Sequence, residues 1–316
     1  MHAIGVDIGG TKIAAGVVDD DGRILAQTRR DTDPTDAATV DRGVVDVCRE
    51  LMADYEVGAI GLAAPGFIGA DRATVGFTPN LPWRDHPLRD SVATALRTDV
   101  PIVVENDANA AGWAEYRFGV ADGVTDMVTL TLGTGLGGAI VSGGRLVRGR
   151  WGVAAEIGHL RVVPDGHVCG CGQRGCWEQY VSGSALVRDA QAIAQQRPDR
   201  AARLLELAGG KWRKIAGVHV TQAAEEGDEL AIELLADIGR WVGQGAASVA
   251  ALLDPELFVV GGGLSAAGDL VMAPARTAFV EHLSARGYHP EASFAIASMG
   301  NEAGMVGAAD LARLES

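Results

Sequence analysis

Three cysteines and two histidines, with a carboxylate at each end, are concentrated in one short segment of the sequence, EIGHLRVVPDGHVCGCGQRGCWE, which runs from Glu156 to Glu178. Cys169, Cys171 and Cys176 have C-x-C-x4-C spacing, and the glycines among them allow tight backbone turns that aim several thiolates at one point. Three cysteines and one histidine form a closed tetrahedral zinc shell with no position left for a substrate. The pattern therefore predicts a structural zinc site.

Spacing does not fix the fourth ligand of this site, because either His159 or His167 could complete the shell. The alternative is a loop with three ordinary cysteines, or a disulfide with one thiol left over. The metal-like spacing and a reducing compartment argue against that alternative. Cys48 lies in the apolar stretch VVDVCRELM at helical spacing, and we expect it to be a buried core thiol.

Length and charge limit the classes of function. The chain has 316 residues, enough for two domains of ordinary size, and 47% of them are hydrophobic, as in a globular protein. A net charge of −14 disfavours binding to nucleic acid or to anionic membranes, since both depend on a basic surface. The sequence has no charged leader before an apolar run and no apolar segment long enough to span a bilayer. We therefore expect a cytoplasmic protein.

A glycine-rich turn near the N-terminus is the first element that could position a ligand. Residues 2–8 form an apolar strand that ends around Asp7, and Gly9-Gly10-Thr11-Lys12 leads into two further strands, which predicts a three-stranded meander. Such a turn offers backbone N–H groups to phosphate oxygens and places a carboxylate near a magnesium ion. The alternative is a glycine hairpin that binds no ligand.

The same order of strand, glycine-threonine turn, strand, glycine turn and strand recurs over residues 127–147. Its first turn is Gly133-Thr134-Gly135, and Gly137 begins the next strand. An internal repeat of this kind predicts two similar domains that face one nucleotide. No G-x-x-x-x-G-K-[ST] element occurs, which excludes an ordinary P-loop as the phosphate-binding device. A third glycine run, Gly261-Gly262-Gly263-Leu264, follows a strand and could leave room for the adenosine part of a nucleotide.

Helices and strands alternate between the two repeats, an order typical of α/β domains. The predicted elements there are helices over residues 37–55, 87–97 and 107–118 and strands over residues 57–63 and 102–104. Glu105-Asn106-Asp107-Ala108-Asn109 comes where a strand ends and a helix begins, the edge at which open α/β sheets bind ligands. Asp107 alone could equally be the N-cap of that helix. Asn80 lies in a proline-punctuated loop and alone would be a turn residue.

The region after the cysteine segment is predicted to be mostly helical over residues 185–253, with a break around Gly209-Gly210 and a long helix from about Asp228. The remaining predicted elements are strands over residues 257–260 and 294–297 and helices over residues 269–285 and 302–313. No low-complexity linker separates these elements, so we expect two domains joined by short hinges.

Taken in order, these motifs resemble the ROK family (repressors, open reading frames, sugar kinases), most closely its bacterial glucokinase branch. The resemblance spans nearly the whole chain and rests on DIGGTK at residues 7–12, ENDAN at 105–109, LGTGLGG at 132–138, EIGH at 156–159 and CGCGQRGCWE at 169–178. It implies an α/β fold with two domains, of the actin-like (ribonuclease H-like) type, whose interdomain cleft binds ATP and a hexose.

The resemblance also implies roles for single residues. Asp107 looks like the catalytic base for ATP-dependent phosphorylation of the C6 hydroxyl of D-glucose. The positions that match sugar ligands are Gly66, Asn80, Asn106, Asp107, Glu156, His159 and Glu178. The positions that match ATP-binding residues, with Mg²⁺ as the accompanying ion, are Asp7, Gly9, Gly10, Thr11, Lys12, Gly133, Thr134, Gly135, Gly137, Gly261, Gly262, Gly263 and Leu264. The positions that match zinc ligands are His159, Cys169, Cys171 and Cys176, which leaves His167 out.

By the same resemblance we expect a small domain of residues 1–115 plus 300–316, a large domain of residues 116–299, and a homodimer or homotetramer. The terminal helix is expected to pack against the first domain. The hexose could instead be mannose, fructose, N-acetylglucosamine or N-acetylmannosamine, and the phosphoryl donor polyphosphate. A sugar-responsive repressor is disfavoured, because Met1 lies too close to Asp7 for a helix-turn-helix to precede it. An actin-like filament or chaperone ATPase would not need the zinc segment.

Overall fold

The computed structural model describes residues 1–78 and 81–315 and has mixed α/β secondary structure. Its strands are β1 (Ala3–Ile8), β2 (Lys12–Val18), β3 (Ile24–Asp31), β4 (Ala59–Ala64), β5 (Phe67–Ile68), β6 (Val75–Phe77), β7 (Arg84–His86), β8 (Ile102–Asn106), β9 (Met127–Leu132), β10 (Leu136–Ser142), β11 (Arg145–Leu146), β12 (Leu257–Gly261) and β13 (Ser293–Ile296). Its helices are α1 (Ala37–Asp54), α2 (Leu88–Leu96), α3 (Asp107–Phe118), α4 (Glu178–Val181), α5 (Gly183–Gln196), α6 (Ala202–Leu207), α7 (Gly217–Glu225), α8 (Glu229–Leu253), α9 (Asp269–His282) and α10 (Ala303–Arg313).

The chain forms two compact units. Unit 1 comprises Met1–Val128, Ala139–Ala155 and Ser298–Ser316, and unit 2 comprises Thr129–Gly138 and Glu156–Ala297. The domain boundaries implied by the resemblance, after residues 115 and 299, stay a prediction.

The sheet of unit 1 has the strand order β3-β2-β1-β4-β8. Strands β1, β2 and β3 pair antiparallel, which confirms the predicted meander, whereas β4 and β8 run parallel to β1. The register aligns Asp7 with Ala63 and Ala63 with Glu105, so the polar residues that end β1 and β8 lie at the same edge of the sheet. This edge is where an open α/β sheet presents its ligand-binding side chains.

Helix α10 packs on this sheet and on α3 at unusually close range. A Cβ atom added to Gly5 of β1 would overlap the carbonyl oxygen of Met305, and one added to Gly307 would overlap the carbonyl oxygen of Ala110 in α3. Glycine is therefore required at both positions, because any side chain would push the helix away from its neighbours. The opposite face of the sheet is buried by α1 and α2, and Cys48 of α1 is a fully buried free thiol as predicted. Burial raises the pKa of this thiol to about 12.

A three-stranded antiparallel sheet with the order β5-β6-β7 was not expected from the sequence. Its strands are only two or three residues long, too short to show an alternating pattern. Gly66 precedes β5 with a φ of +98°, and a Cβ atom there would overlap the carbonyl oxygen of Phe77. Asn80 lies outside the described residues.

A second five-stranded sheet has the order β11-β10-β9-β12-β13, and the succession of β9, β10 and β11 confirms the predicted repeat. Helices α4 to α9 belong to unit 2. The predicted long helix is α8, whose N-cap Asp228 accepts a hydrogen bond from the Ala231 amide at 2.9 Å. The stretch before it is divided into α5, α6 and α7 rather than broken once, because a loop over residues 197–201 separates α5 from α6 in addition to the predicted break around Gly209-Gly210. Over residues 1–78 and 81–315, no helix combines the length and apolar character that crossing a membrane requires.

Candidate active site

Two carboxylates of unit 1 come from neighbouring elements. Asp7 lies in β1, and Asp107 is the first residue of α3, directly after β8. Burial and, to a smaller extent, the negative charge of Asp107 raise the pKa of Asp7 to about 6. Burial also raises the pKa of Asp107, although its Oδ1 accepts a hydrogen bond from the Ala108 amide at 2.8 Å. Carboxylates held in this way accept a proton more readily than exposed ones, or can share a cation.

Asn106, not Asp107, is the N-cap of α3. The Asn106 Oδ1 accepts a hydrogen bond from the Asn109 amide at 2.9 Å, so the interpretation of Asp107 as the cap is wrong. The Asn106 Nδ2 donates to the carbonyl oxygen of Gly66 at 3.1 Å. The structure thus brings together three of the predicted sugar-binding residues of unit 1 and leaves the Asp107 carboxylate free of the capping role.

The β1–β2 turn is closed by a hydrogen bond from the Gly9 amide to the Lys12 carbonyl at 2.8 Å. The Thr32 hydroxyl donates a hydrogen bond to the Gly9 carbonyl at 2.8 Å, and this bond links the turn to the residue that follows β3. A Cβ atom on Gly304, at the start of α10, would lie 3.2 Å from the carboxyl carbon of Asp7. Gly304 is therefore a neighbour of the site that sequence motifs did not single out. The exposed Lys12 side chain lines a cavity of about 640 Å³.

Glu105 is a second residue whose part in the site was not predicted. Its carboxylate is buried, and Oε2 lies 2.6 Å from Arg148 Nε and 3.3 Å from Arg72 Nη2. Its Oε1 accepts hydrogen bonds from the Asn106 amide and from Asn109 Nδ2, both at 3.0 Å. A glutamate at the end of an otherwise apolar strand was the available signal, since a buried carboxylate needs charged or hydrogen-bonding partners.

In unit 2 the β9–β10 turn is fastened to the start of α5. The Gly133 carbonyl accepts a hydrogen bond from the Gly183 amide at 2.8 Å, and the Thr134 carbonyl accepts one from the Ser184 hydroxyl at 2.7 Å. A Cβ atom added to Gly135 would lie 2.8 Å from Glu178 Oε2. The predicted phosphate-binding turn of this unit therefore adjoins a predicted sugar-binding carboxylate.

The third glycine run also reaches this part of unit 2. Gly262 has a φ of +84°, and a Cβ atom on it would lie 2.5 Å from the Leu132 carbonyl oxygen at the end of β9. Gly263 and Leu264 then begin a short 3₁₀-helix, Gly263–Ala267. The predicted nucleotide-binding residues of unit 2 are thus gathered around the end of one strand.

The predicted zinc ligands come together. The ligand atoms of His159, Cys169, Cys171 and Cys176 all lie within 4.8 Å of one another. Sγ of Cys171 and Sγ of Cys176 are 3.6 Å apart. Tetrahedral Zn–S bonds of about 2.3 Å place two sulfurs about 3.8 Å apart, whereas a disulfide requires about 2.05 Å. All four cysteines are free, so the disulfide alternative is wrong and the set is compatible with a structural Zn²⁺.

The structure also separates the two candidate histidines. Nδ1 of His159 lies 3.7 Å from Cys169 Sγ and 4.0 Å from Glu178 Oε1, while its Nε2 faces Glu156 Oε2 at 4.0 Å. The ring of His167 instead packs against Tyr180, with the centroids 5.4 Å apart. The two nitrogens of His159 therefore face different groups, which lets one ring contact the metal and another partner together.

Trp177 anchors the end of the cysteine segment. Its side chain is fully buried, and its Nε1 donates to the Trp241 carbonyl of α8 at 2.9 Å. A Cβ atom on Gly245 would overlap the indole ring, so the missing side chain at Gly245 lets the ring of Trp177 pack against α8. Glu178 follows directly and is thereby held near His159.

The ROK family model matches residues 3–315 of the chain. The chain belongs to the ROK family. Among its ROK relatives, the glucokinase of Streptomyces coelicolor is 49% identical over 310 residues, which cover 98% of this chain and 97% of that one. A crystal structure of a ROK family glucokinase from Streptomyces griseus in complex with glucose and AMPPNP is similar with a TM-score of 0.88 and 50% identity, covering 99% of this chain and 100% of that one. The predicted actin-like fold is confirmed by these neighbours.

A more distant ROK relative is the N-acetylmannosamine kinase of Escherichia coli. It is 35% identical over 325 residues, which cover 100% of this chain and 99% of that one. The alternative hexose considered from the sequence is thus represented among the chain's relatives.

Proposed function

We propose that this chain is a glucokinase that transfers the γ-phosphoryl group of ATP to the C6 hydroxyl of D-glucose. The observation that carries the proposal is the full-length similarity to a ROK glucokinase whose crystal structure contains glucose and an ATP analogue. The side chains gathered in each unit supply the chemistry that this reaction needs.

Asp107 is the proposed catalytic base. Phosphoryl transfer requires mainly that the attacking hydroxyl be aligned and its proton accepted. The raised pKa of Asp107 makes its carboxylate a stronger base than an exposed aspartate, and its place at the start of α3 fixes the direction of approach. The C6 hydroxyl would donate its proton to Asp107 as its oxygen forms the bond to the γ-phosphorus, and the bond from that phosphorus to the β–γ bridging oxygen would break to release ADP.

The remaining sugar hydroxyls need matched donors and acceptors, because an unmatched polar group in a closed site loses its hydrogen bonds to water. The residues proposed for this task are Gly66, Asn80, Asn106, Glu156, His159 and Glu178. Carboxylates and amides dominate the set, as expected for a ligand whose surface consists of hydroxyl groups. Nε2 of His159 is the nitrogen available to the sugar, since Nδ1 faces the sulfurs.

The two glycine turns are proposed to bind the phosphates. Their backbone amides are unobstructed by side chains, so they can donate hydrogen bonds to phosphate oxygens at close range. Asp7 is the carboxylate placed to hold Mg²⁺, because the negative charge of Asp107 beside it favours a shared cation. Magnesium bound with ATP neutralises phosphate charge.

The zinc ligands are proposed to act structurally. Three thiolates and His159 fill a tetrahedral shell, so the metal has no open position for substrate. It would instead tie the loop that carries His159 to the loop that leads into Glu178, and so fix two of the proposed sugar ligands.

A coupled assay with ATP tests the proposal across glucose, mannose, fructose, N-acetylglucosamine and N-acetylmannosamine. We expect the highest kcat/KM with glucose, and polyphosphate in place of ATP tests the donor. A higher kcat/KM with N-acetylmannosamine would favour the second candidate, for which the 35% identical relative is the supporting observation. No phosphorylation of any of the five sugars would contradict both.

We also propose that the enzyme is a cytoplasmic homodimer or homotetramer without a nucleic-acid partner. The reduced cysteines support the cytoplasmic location, and the net charge of −14 argues against a nucleic-acid partner. The oligomer rests on the resemblance to the ROK family alone. Light scattering of the purified protein gives the mass of the assembly, and a monomeric mass would contradict the oligomer.

A further inference from the structure

The buried carboxylate of Glu105 lies one residue before Asn106 and two before Asp107. It has only 3% of its surface exposed, which is rare for a glutamate without a specific partner. Two arginines from distant parts of unit 1 provide that partner, since Arg148 Nε and Arg72 Nη2 lie 2.6 Å and 3.3 Å from its Oε2. A buried charged cluster therefore lies at the end of β8, two residues before the proposed catalytic base.

The other oxygen of Glu105 is bound to the strand–helix junction itself. Oε1 accepts one hydrogen bond from the Asn106 amide and one from the Asn109 side chain. These two residues flank Asp107, and they are also joined to each other through the N-cap hydrogen bond. The backbone on both sides of Asp107 is thus tied to one carboxylate.

The arginines fix that carboxylate in turn. Arg148 approaches Oε2 with its Nε, while the backbone of Arg72 accepts a hydrogen bond from the Val104 amide at 3.0 Å, so its position is set by β8. Arg72 also forms an ion pair with Glu315. Oε2 faces the two arginines, and Oε1 accepts the hydrogen bonds from the strand–helix junction.

We infer that Glu105 is a positioning residue for phosphoryl transfer: held by Arg148 and Arg72, it orients the Asn106–Asn109 junction so that the Asp107 carboxylate meets the attacking hydroxyl. The inference rests on the proposed function. A structural role alone predicts a loss of stability, whereas positioning predicts a loss of kcat beyond what stability explains. A displacement of about 1 Å at a reacting group costs about 100-fold in rate.

The test is Glu105→Gln, which keeps the size of the side chain and its acceptor for Oε1 but removes the negative charge that the arginines hold. We expect kcat to fall by about 10- to 100-fold, with KM for ATP changed less than about twofold. The matched control is Glu115→Gln. Glu115 is also a buried glutamate of unit 1, in α3, but it accepts from the Met299 amide at 2.7 Å and does not touch the junction.

The control variant should lose thermal stability to a similar extent and keep kcat within about twofold of the wild type. Arg148→Met is the second variant, because Arg148 is less buried than Glu105 and Arg72 still faces the carboxylate after its removal. It should lower kcat in the same direction, and the double variant should be no slower than Glu105→Gln alone, since the two residues act through one contact.

A wild-type kcat in folded Glu105→Gln would overturn the inference, as would an equal loss of kcat in Glu115→Gln at the same loss of stability. If Glu105→Gln does not fold, a wild-type kcat in Arg148→Met overturns it instead. Failure of the proposed function is distinguished by the wild type, which would then phosphorylate none of the five sugars.

Discussion

The predicted site residues form two groups that are held by different means. The carboxylate group of unit 1 lies at the ends of strands and the start of a helix, where backbone pairing fixes the main chain. Its members are Asp7, Gly66, Asn106 and Asp107. The metal group is His159 with the three cysteines and the adjoining Glu156 and Glu178 of unit 2. The segment of residues 160–177, which carries the three cysteines, contains no helix or strand, only two isolated β-bridges. The sheet fixes the positions of the carboxylate group, whereas the loop of the metal group needs a cross-link such as a metal ion.

The two groups also differ in their effect on stability. The carboxylates of unit 1 are buried beside each other, which disfavours their charged forms. The ligands of unit 2 gain free energy when a metal joins them, because structural zinc binding contributes directly to folding. The groups that carry out the chemistry and those that support the substrate are therefore separable, and substitutions in each group should have different effects.

The largest effect is expected from Asp107→Ala. Loss of the base should lower kcat by about 10²- to 10⁴-fold, while the fold and glucose binding persist because the sheet holds the surrounding backbone. Steady-state kinetics and glucose calorimetry measure the two quantities. Asp269→Ala is the matched control, since Asp269 is the first residue of another helix but is exposed, and its kcat should not change. Near-normal turnover in Asp107→Ala would remove the proposed role.

Cys171→Ala should act on binding rather than on the chemical step. Losing one of four ligands should release the zinc, and glucose affinity should fall by about 10- to 100-fold as Glu178 and His159 lose their fixed positions. Metal content by atomic emission and glucose Kd by calorimetry give the comparison. Cys48→Ala makes the same substitution at a thiol of α1 and should keep both metal and affinity. Undiminished glucose affinity in zinc-free Cys171→Ala would show that the metal does not support the sugar ligands.

The smallest effect is expected from Asp7→Asn, and it should increase stability. The pKa of Asp7 is raised from 3.8 to about 6, so its contribution to stability is present below pH 3.8 and lost as the pH rises through 6. At pH 8 a neutral asparagine should therefore raise the free energy of unfolding by about 3 kcal/mol.

This change is measured by urea denaturation without ligands, at pH 8 and again at pH 4, where the gain should disappear. Activity should fall in the same variant, because asparagine is a poorer Mg²⁺ ligand than aspartate. If Asp7→Asn is no more stable than the wild type at pH 8, the negative charge of Asp7 does not destabilise the folded protein.

Local sequence patterns predicted much of the fold. Strand β9 and helix α3 have the bounds expected from an apolar run between polar residues and from helical spacing. Strands β5, β6 and β7 were missed because two or three residues carry no periodicity. Helices α5 and α7 pack against α8, and α6 packs against α5 and α7; local propensity does not determine such contacts between helices.

The candidate site was predictable where its residues are close in sequence. The spacing of the cysteines predicted the metal site. It did not distinguish His159 from His167, because both histidines lie close to the cysteines in sequence and only the fold shows which one faces them. The partners of Glu105 could not be predicted, because Arg148 lies 43 residues away and its pairing is created by tertiary folding. Likewise, Gly304 approaches Asp7 only because α10 returns to the first sheet.

That return of α10 has a consequence for synthesis on the ribosome. Gly5 and Met305 are in backbone contact, yet Met305 is translated last of the two by a wide margin. At about 5–20 residues per second, the roughly 300 residues between them take about 15–60 s to be made. During that interval the face of the N-terminal sheet that α10 covers lacks its helix, so unit 1 cannot complete its core until the C-terminal part of the chain has been made.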